Sequence, residues 1–131
     1  MGVVARIRDG VPLTQVRTST ELDRILDDAA KQARDRRLLT AITLNSDNGN
    51  ALTIALGGEE TVLSFDHENG PYFASKGQSN EEQPFFTCFL NFDHHTEFPR
   101  KYVIPVGLGI NAVREFLLSE ERPTCVSWTE V

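Results

Sequence analysis

The sequence predicts an α+β domain, with a mostly antiparallel sheet of about six to seven strands and two helices packed on one face. Three observations carry this. Apolar residues fall at helical spacing twice, over about 19–36 and about 108–119. Between them the period switches to two from Leu38 onward. Turn-forming clusters at Asn45–Asn50 and Glu68–Pro71 divide the apolar runs at strand-like intervals. Helices that flank a run of strands bury their apolar stripes against a shared sheet face.

The first helix opens on Thr18-x-x-Glu21, a capping-box pattern. Leu22, Ile25, Leu26, Ala29 and Ala33 then lie on one face. Pairs such as Asp27 with Lys31 lie four apart on the other, so these charges read as a solvated face. Leu39–Leu44 and Ala51–Leu56 flank the Asn45–Asn50 joint as a hairpin. Thr61–Phe65 follows Gly57-Gly58 as a third strand, and Tyr72-Phe73 begins a fourth after Gly70-Pro71. Pro84–Phe92 alternates with strong β character, and Lys101–Ile104 is a short strand ending at Pro105. The second helix places Ile110, Val113, Phe116 and Leu117 inward, and Arg122-Pro123 stops it. A last strand around Trp128 closes a chain read as one domain over 1–131.

Composition excludes several classes of function. With 13 basic and 19 acidic residues the net charge is −6, which disfavours a nucleic-acid surface. No run approaches the length of a membrane span. The N-terminus lacks the charged and apolar regions of a secretory signal, and Arg6 breaks the myristoylation pattern that Gly2 would open. Cytoplasmic location is the expectation. Cys88 and Cys125 sit far apart within apolar runs and read as reduced thiols in a core.

Charge is unevenly distributed. Residues 38–99 hold one base, Lys76, against nine acids: Asp47, Glu59, Glu60, Asp66, Glu68, Glu81, Glu82, Asp93 and Glu97. Nearly all fall in turns between strands. One reading is solvated loops that keep a sheet with edges soluble. The other is an acidic patch for a basic partner, where complementary charge speeds association and selects the partner.

Catalytic patterns fail on residue count. His95-Thr-Glu97 matches half of a zinc-deaminase motif, but no Pro-Cys-x-x-Cys follows to supply the remaining ligands. Asp93, His94 and His95 are adjacent in sequence and lack third and fourth ligands at metal spacing. Ser64, Ser75 and Cys88 stand outside any nucleophile-elbow pattern, and the glycine pairs are too sparse for a phosphate loop. An enzyme, a metal and a cofactor are therefore not expected. Gly77 is expected to supply a positive φ at a strand end, and Lys76 either to neutralise Glu81 or Glu82 or to reach a backbone carbonyl or a partner's acid. Trp128 reads first as a core plug, with Glu130 projecting from the same face and within reach of Arg100 or Arg122.

Tyr72-Phe-Ala-Ser-Lys-Gly77, Arg122-Pro123 and Trp128-Thr-Glu130 together resemble a family of bacterial polymorphic-toxin immunity proteins. Members typically end in a Trp-Ser/Thr-Glu motif and are often encoded beside deaminase-type toxins. The resemblance implies an antitoxin that binds a cognate toxin domain and occludes its active site, with no cofactor or catalytic residue to carry over. The expected partner is therefore a protein, not nucleic acid or membrane, bound by a monomer or weak homodimer. Read with the acidic stretch, it makes Glu68, Tyr72, Lys76, Glu81, Glu82, Asp93, Glu97, Phe98, Trp128 and Glu130 the candidate contacts. Tyr72, Phe73, Phe85 and Phe98 are candidate anchors, of which half are expected in the core. An adaptor module, a small-ligand domain and a sheet oligomer built on an edge strand such as 84–92 are the alternatives.

Overall fold

The structure, a computed structural model, describes residues 2–6, 14–37, 39–82, 84–89 and 95–131. Strands β1 (Val3–Arg6) and β2 (Thr14–Val16) precede helix α1 (Ser19–Arg36). Then come β3 (Thr40–Ser46), β4 (Ala51–Leu56), β5 (Glu60–Thr61), β6 (Leu63–Asp66) and β7 (Tyr72–Ser75). After β8 (Pro84–Phe89) and β9 (His95–Pro99), a 3-10 turn (Arg100–Tyr102) leads to β10 (Ile104–Pro105). Helix α2 (Val106–Ser119) and β11 (Trp128–Glu130) complete the chain.

Seven strands form one antiparallel path, in the order β11-β7-β6-β4-β3-β1-β2. The β8–β9 arm joins it through a single parallel bridge, Thr40 with Phe89, and β5 pairs with β10 in a small ladder of its own. The expected α+β class and antiparallel sheet are thus present. The two N-terminal strands and the β9 strand, placed in a loop by sequence, extend it.

Helix α1 starts where Thr18 Oγ1 accepts the Glu21 amide at 3.1 Å, satisfying a donor that has no partner within the helix. It stops at Arg37, whose φ of 57° turns the chain left-handed. Leu22, Leu26, Ala29 and Ala33 are buried, as the spacing predicts. Helix α2 begins after Pro105 and ends at Glu120, with φ 58° and its amide bonded to the Phe116 carbonyl. It therefore ends before Arg122-Pro123, and the left-handed residue, not the proline, is the stop.

Both helices cover the same face. Leu44, Leu52 and Phe65 are cross-strand partners, as are Ile42, Ile54 and Leu63, and period two sends both rows to the helix side. They meet Leu22, Leu26, Val113 and Phe116 in one buried cluster. Each such side chain contributes about 1.5–3 kcal/mol by leaving water. The opposite face is polar along its centre, with Thr43 and Thr53 hydroxyls 2.9 Å apart. One end of that face is covered by a small cluster of Ala41, Ala55, Val62 and Val103, with Phe98 and Tyr102 packed on it.

Residues 101–104, expected as a strand, form the 3-10 turn and the start of β10. The reason lies in buried side chains that bind backbone. Ser75 Oγ donates to the Tyr102 carbonyl at 2.7 Å and accepts the Leu63 amide at 3.0 Å. Thr61 Oγ1 occupies a ladder position, donating to the Ala55 carbonyl at 2.8 Å. Gly77 is also not where a positive φ is needed. Its amide donates to the Lys101 carbonyl at 2.7 Å, and a Cβ there would lie 2.3 Å from the Val103 carbonyl oxygen. Close approach of two backbones is what requires glycine.

Candidate partner-binding surface

The three segments Tyr72–Gly77, Arg122–Pro123 and Trp128–Glu130 meet at one edge of the sheet. Strand β11 pairs antiparallel with β7, matching Trp128 with Ser75 and Glu130 with Phe73. The Lys76 amide bonds to the Ser127 carbonyl at 2.9 Å and the Val131 amide to the Tyr72 carbonyl at 2.9 Å, lengthening the ladder at both ends. Trp128 is half-buried, packs on Phe65 at 6.1 Å between ring centroids, and donates Nε1–H to the Pro123 carbonyl at 2.8 Å. Arg122 lays its guanidinium 4.2 Å from the Phe73 ring centroid, a cation–π contact.

At the end of this edge the open sheet face carries an apolar centre. Tyr72 is 50% exposed and Val131 62% exposed. The ladder makes them cross-strand partners, so both point to the face away from the helices. Asp66 stands opposite Tyr72 on β6. Partial burial of its carboxyl pushes its pKa above the usual aspartate value. Glu68, exposed on the next turn, passes over Gly49 so closely that a Cβ there would lie 2.7 Å from its side chain. Gly49 also has φ +92°, so the β3–β4 turn needs glycine on two grounds. Asp47, exposed in the same turn, lies on its β1 side with its carboxylate beside Gly2, so Asp66 and Glu68 are the acids next to Tyr72 and Val131.

A buried polar knot fixes this end of the sheet. The Ser46 hydroxyl donates to the Glu120 carboxylate at 2.5 Å. Asn48 Nδ2 and Asn50 Nδ2 donate to the Glu120 carbonyl at 2.9 and 3.0 Å. Asn50 Nδ2 also reaches Glu121 Oε2 at 2.9 Å. The left-handed turn at Glu120 frees the carbonyl that these asparagines bind. Sequence reading missed this role for Ser46–Asn50, although asparagines in a hairpin turn facing a helix end are the available signal.

The remaining sequence-predicted residues are not gathered here. Glu81 and Glu82 are exposed near the 3-10 turn: the Glu81 carbonyl accepts the Lys101 amide at 3.2 Å, and Glu82 pairs with Lys101 at 3.3 Å. Lys101, not Lys76, is thus the cation beside Glu82. Glu97 is exposed on β9, and Phe98 next to it packs on the Ala41–Val103 cluster. This arm lies off the beginning of β3, at the opposite end of the sheet from the β3–β4 turn. Glu130 is exposed and registers with Phe73 on the helix side of β11. Asp93 and His94 lie outside the described residues, as do the side chains of Phe85, Cys88 and His95. Lys76 is exposed at the lip of an open cleft of about 360 Å³ that includes Leu108, Cys125 and Val126. A second open cleft, about 380 Å³, lies beyond Val126 and is lined by His67, Arg122 and Trp128.

Cys125, expected in the core, is an exposed free thiol. It sits in the bend that Glu115 holds, where the carboxylate accepts the Thr124 amide at 2.6 Å, the Thr124 hydroxyl at 3.1 Å and the Cys125 amide at 3.2 Å. Burial and the Glu115 carboxylate both push the Cys125 thiol up, away from a reactive thiolate. Among the described residues, no group of three or more His, Cys, Asp or Glu is placed to hold a metal, and no helix is long and apolar enough to cross a membrane.

The open sheet face thus carries an exposed tyrosine and valine with the acids Asp66 and Glu68 beside them. The family model described as Immunity protein Imm1 matches residues 12–130, and the chain belongs to that family. No curated protein matches it. Membership supports an immunity role with a toxin as protein partner. The match spans the three converging segments.

Proposed function

We propose that this chain is the antitoxin of a bacterial toxin, holding the toxin inactive by binding it and covering its active site. The family match supports the immunity role. The observation that supports a contact here is the exposed Tyr72–Val131 centre with Asp66 and Glu68 beside it. Tyrosine is an interface anchor because its ring excludes water over a wide area while its hydroxyl remains hydrogen-bonded. The acids favour a toxin whose own surface is basic, as the substrate groove of an enzyme acting on nucleic acid is. That chemistry, with the deaminase pairing the sequence resemblance implies, makes a nucleic-acid deaminase the proposed target. The chain acts as a single cytoplasmic domain by occupancy, without catalysis of its own.

Of the ten candidate contacts, Glu68 and Tyr72 belong to this surface, and Glu130 borders it. Glu81, Glu82, Glu97 and Phe98 form a separate group at the far end, and Trp128 supports the edge from within. The test is co-expression with the toxin domain encoded beside this chain, scored by growth and by co-purification. The wild type restores growth. Asp66→Asn and Glu68→Gln together weaken protection, whereas Glu81→Gln, Glu82→Gln and Glu97→Gln together leave it intact. The reverse pattern would move the interface to the far end, and absence of rescue by the wild type would remove the immunity reading.

A further inference from the structure

The edge that carries the acidic surface is an open strand. β11 ends the sheet path, with β7 on one side only. In an antiparallel ladder the residues that bond to the neighbour alternate with residues whose N–H and C=O point away. Ser127 and Val131 bond to β7 through the Lys76 amide and the Tyr72 carbonyl. Trp128 and Glu130 therefore direct both backbone groups outward, and among the described residues no strand or side chain takes them. Indole and carboxylate, by contrast, stand perpendicular to that edge, the indole anchored by Pro123.

We propose that the outer edge of β11 receives an extended, basic segment of the toxin as an added strand. This rests on the immunity reading and deepens it by naming how the partner is held. Four backbone groups, two from Trp128 and two from Glu130, are spaced to bind one strand, which would lie about 4.8 Å away. Charge selects the occupant. Glu130 lies on the edge itself, Asp66 lies two strands inward on β6, and Glu68 lies in the turn that joins β6 to β7, beside the Tyr72 patch. Lysine or arginine side chains on an added strand pair with Glu130 on one face and approach Asp66 and Glu68 on the other. A second copy of this chain paired with Glu130 opposite Glu130 would set like charges together, which disfavours that register. Backbone bonds provide the grip and the flanking acids the specificity.

Amide hydrogen exchange tests this directly. It compares the free chain with its complex with the catalytically inactivated toxin domain encoded beside it. In the free chain the Val131 amide, bonded to Tyr72, exchanges slowly and the Trp128 and Glu130 amides exchange fast. In the complex, Trp128 and Glu130 slow at least tenfold. A complex that forms while both amides keep their free rates overturns strand addition and leaves the immunity reading standing. If no complex forms, both fall. Slowing in the free chain that grows with its concentration would assign the edge to a second copy and likewise overturn the proposal.

A backbone variant supplies the second measurement. Glu130→Pro removes an outward-pointing amide as well as the carboxylate that Glu130→Gln also removes, a change an edge strand tolerates. It weakens toxin affinity about three- to tenfold beyond Glu130→Gln, the span expected for one backbone hydrogen bond. Equal affinities for the two variants, with unchanged far-ultraviolet circular dichroism, would overturn it.

Discussion

Asn50→Ala is the sharpest test of how the β3–β4 turn end of the sheet is built. Asn50 is buried, 6% exposed, and its side-chain amide donates to the Glu120 carbonyl at 3.0 Å and to the Glu121 carboxylate at 2.9 Å. A neutral buried hydrogen bond contributes about 1 kcal/mol net, and one to a carboxylate about 1.5–3 kcal/mol. Glu121 is exposed, so solvent screening reduces its share to about 1 kcal/mol. The Glu120 carbonyl keeps its bond from Asn48 and is not left bare. The sum is a loss of about 2 kcal/mol, equivalent to roughly 6–8 °C in Tm for a domain of this size. Thermal denaturation followed by circular dichroism measures it. Asn48→Ala with Asn50→Ala strips both donors from a buried carbonyl, so the double variant loses more than the two single losses combined. A Tm within 2 °C of wild type for Asn50→Ala, or strict additivity in the double variant, would refute the knot as the brace of this end.

Other expectations follow from single groups. Burial raises the Glu115 carboxyl, but hydrogen bonds from Thr124 and Cys125 outweigh it, and its net pKa is lowered. Its stabilising effect is therefore present above the ordinary carboxylate pKa and disappears as pH falls through the lower folded value. Glu115→Gln should be less stable than wild type at pH 7 and converge with it in acid, as read by urea denaturation at a series of pH values. Asp66 runs the other way: its raised pKa penalises the ionised form, so stability declines as pH rises through the window from the ordinary value to the raised one. Asp66→Asn should flatten that decline without loss of fold at pH 7, and the same denaturation series checks it. Gly77→Ala forces a Cβ onto the Val103 carbonyl oxygen, and a cost of about 1–3 kcal/mol is expected from chemical denaturation.

The helices and central strands were legible because periodicity reports burial directly. The Thr18–Glu21 cap and the Leu22–Ala33 stripe set α1 within its observed bounds, and Asn45–Asn50 marked the β3–β4 turn. Val3–Arg6 and Thr14–Val16 were missed because each is too short to show a period. Lys101–Ile104 was misread because Ser75 and Gly77, distant in sequence, bind its carbonyls and hold it as a turn. Cys125 was misplaced for a related reason: Glu115 captures the backbone of its bend and leaves the thiol outside the sheet. The candidate site was legible in part. Residue identity revealed an acidic stretch and three family segments, but only strand direction divides the acids between opposite ends. Strand pairing alone brings Val131 beside Tyr72.

The decisive measurement is the affinity of this chain for the toxin domain encoded beside it, by titration calorimetry for wild type, Tyr72→Ala and the Glu81→Gln, Glu82→Gln, Glu97→Gln triple variant. Removing a central anchor costs about 2 kcal/mol or more, close to thirtyfold in Kd. That loss is expected for Tyr72→Ala, with an unchanged Kd for the triple variant. Wild-type affinity in Tyr72→Ala, together with a weakened triple variant, would contradict the proposed surface.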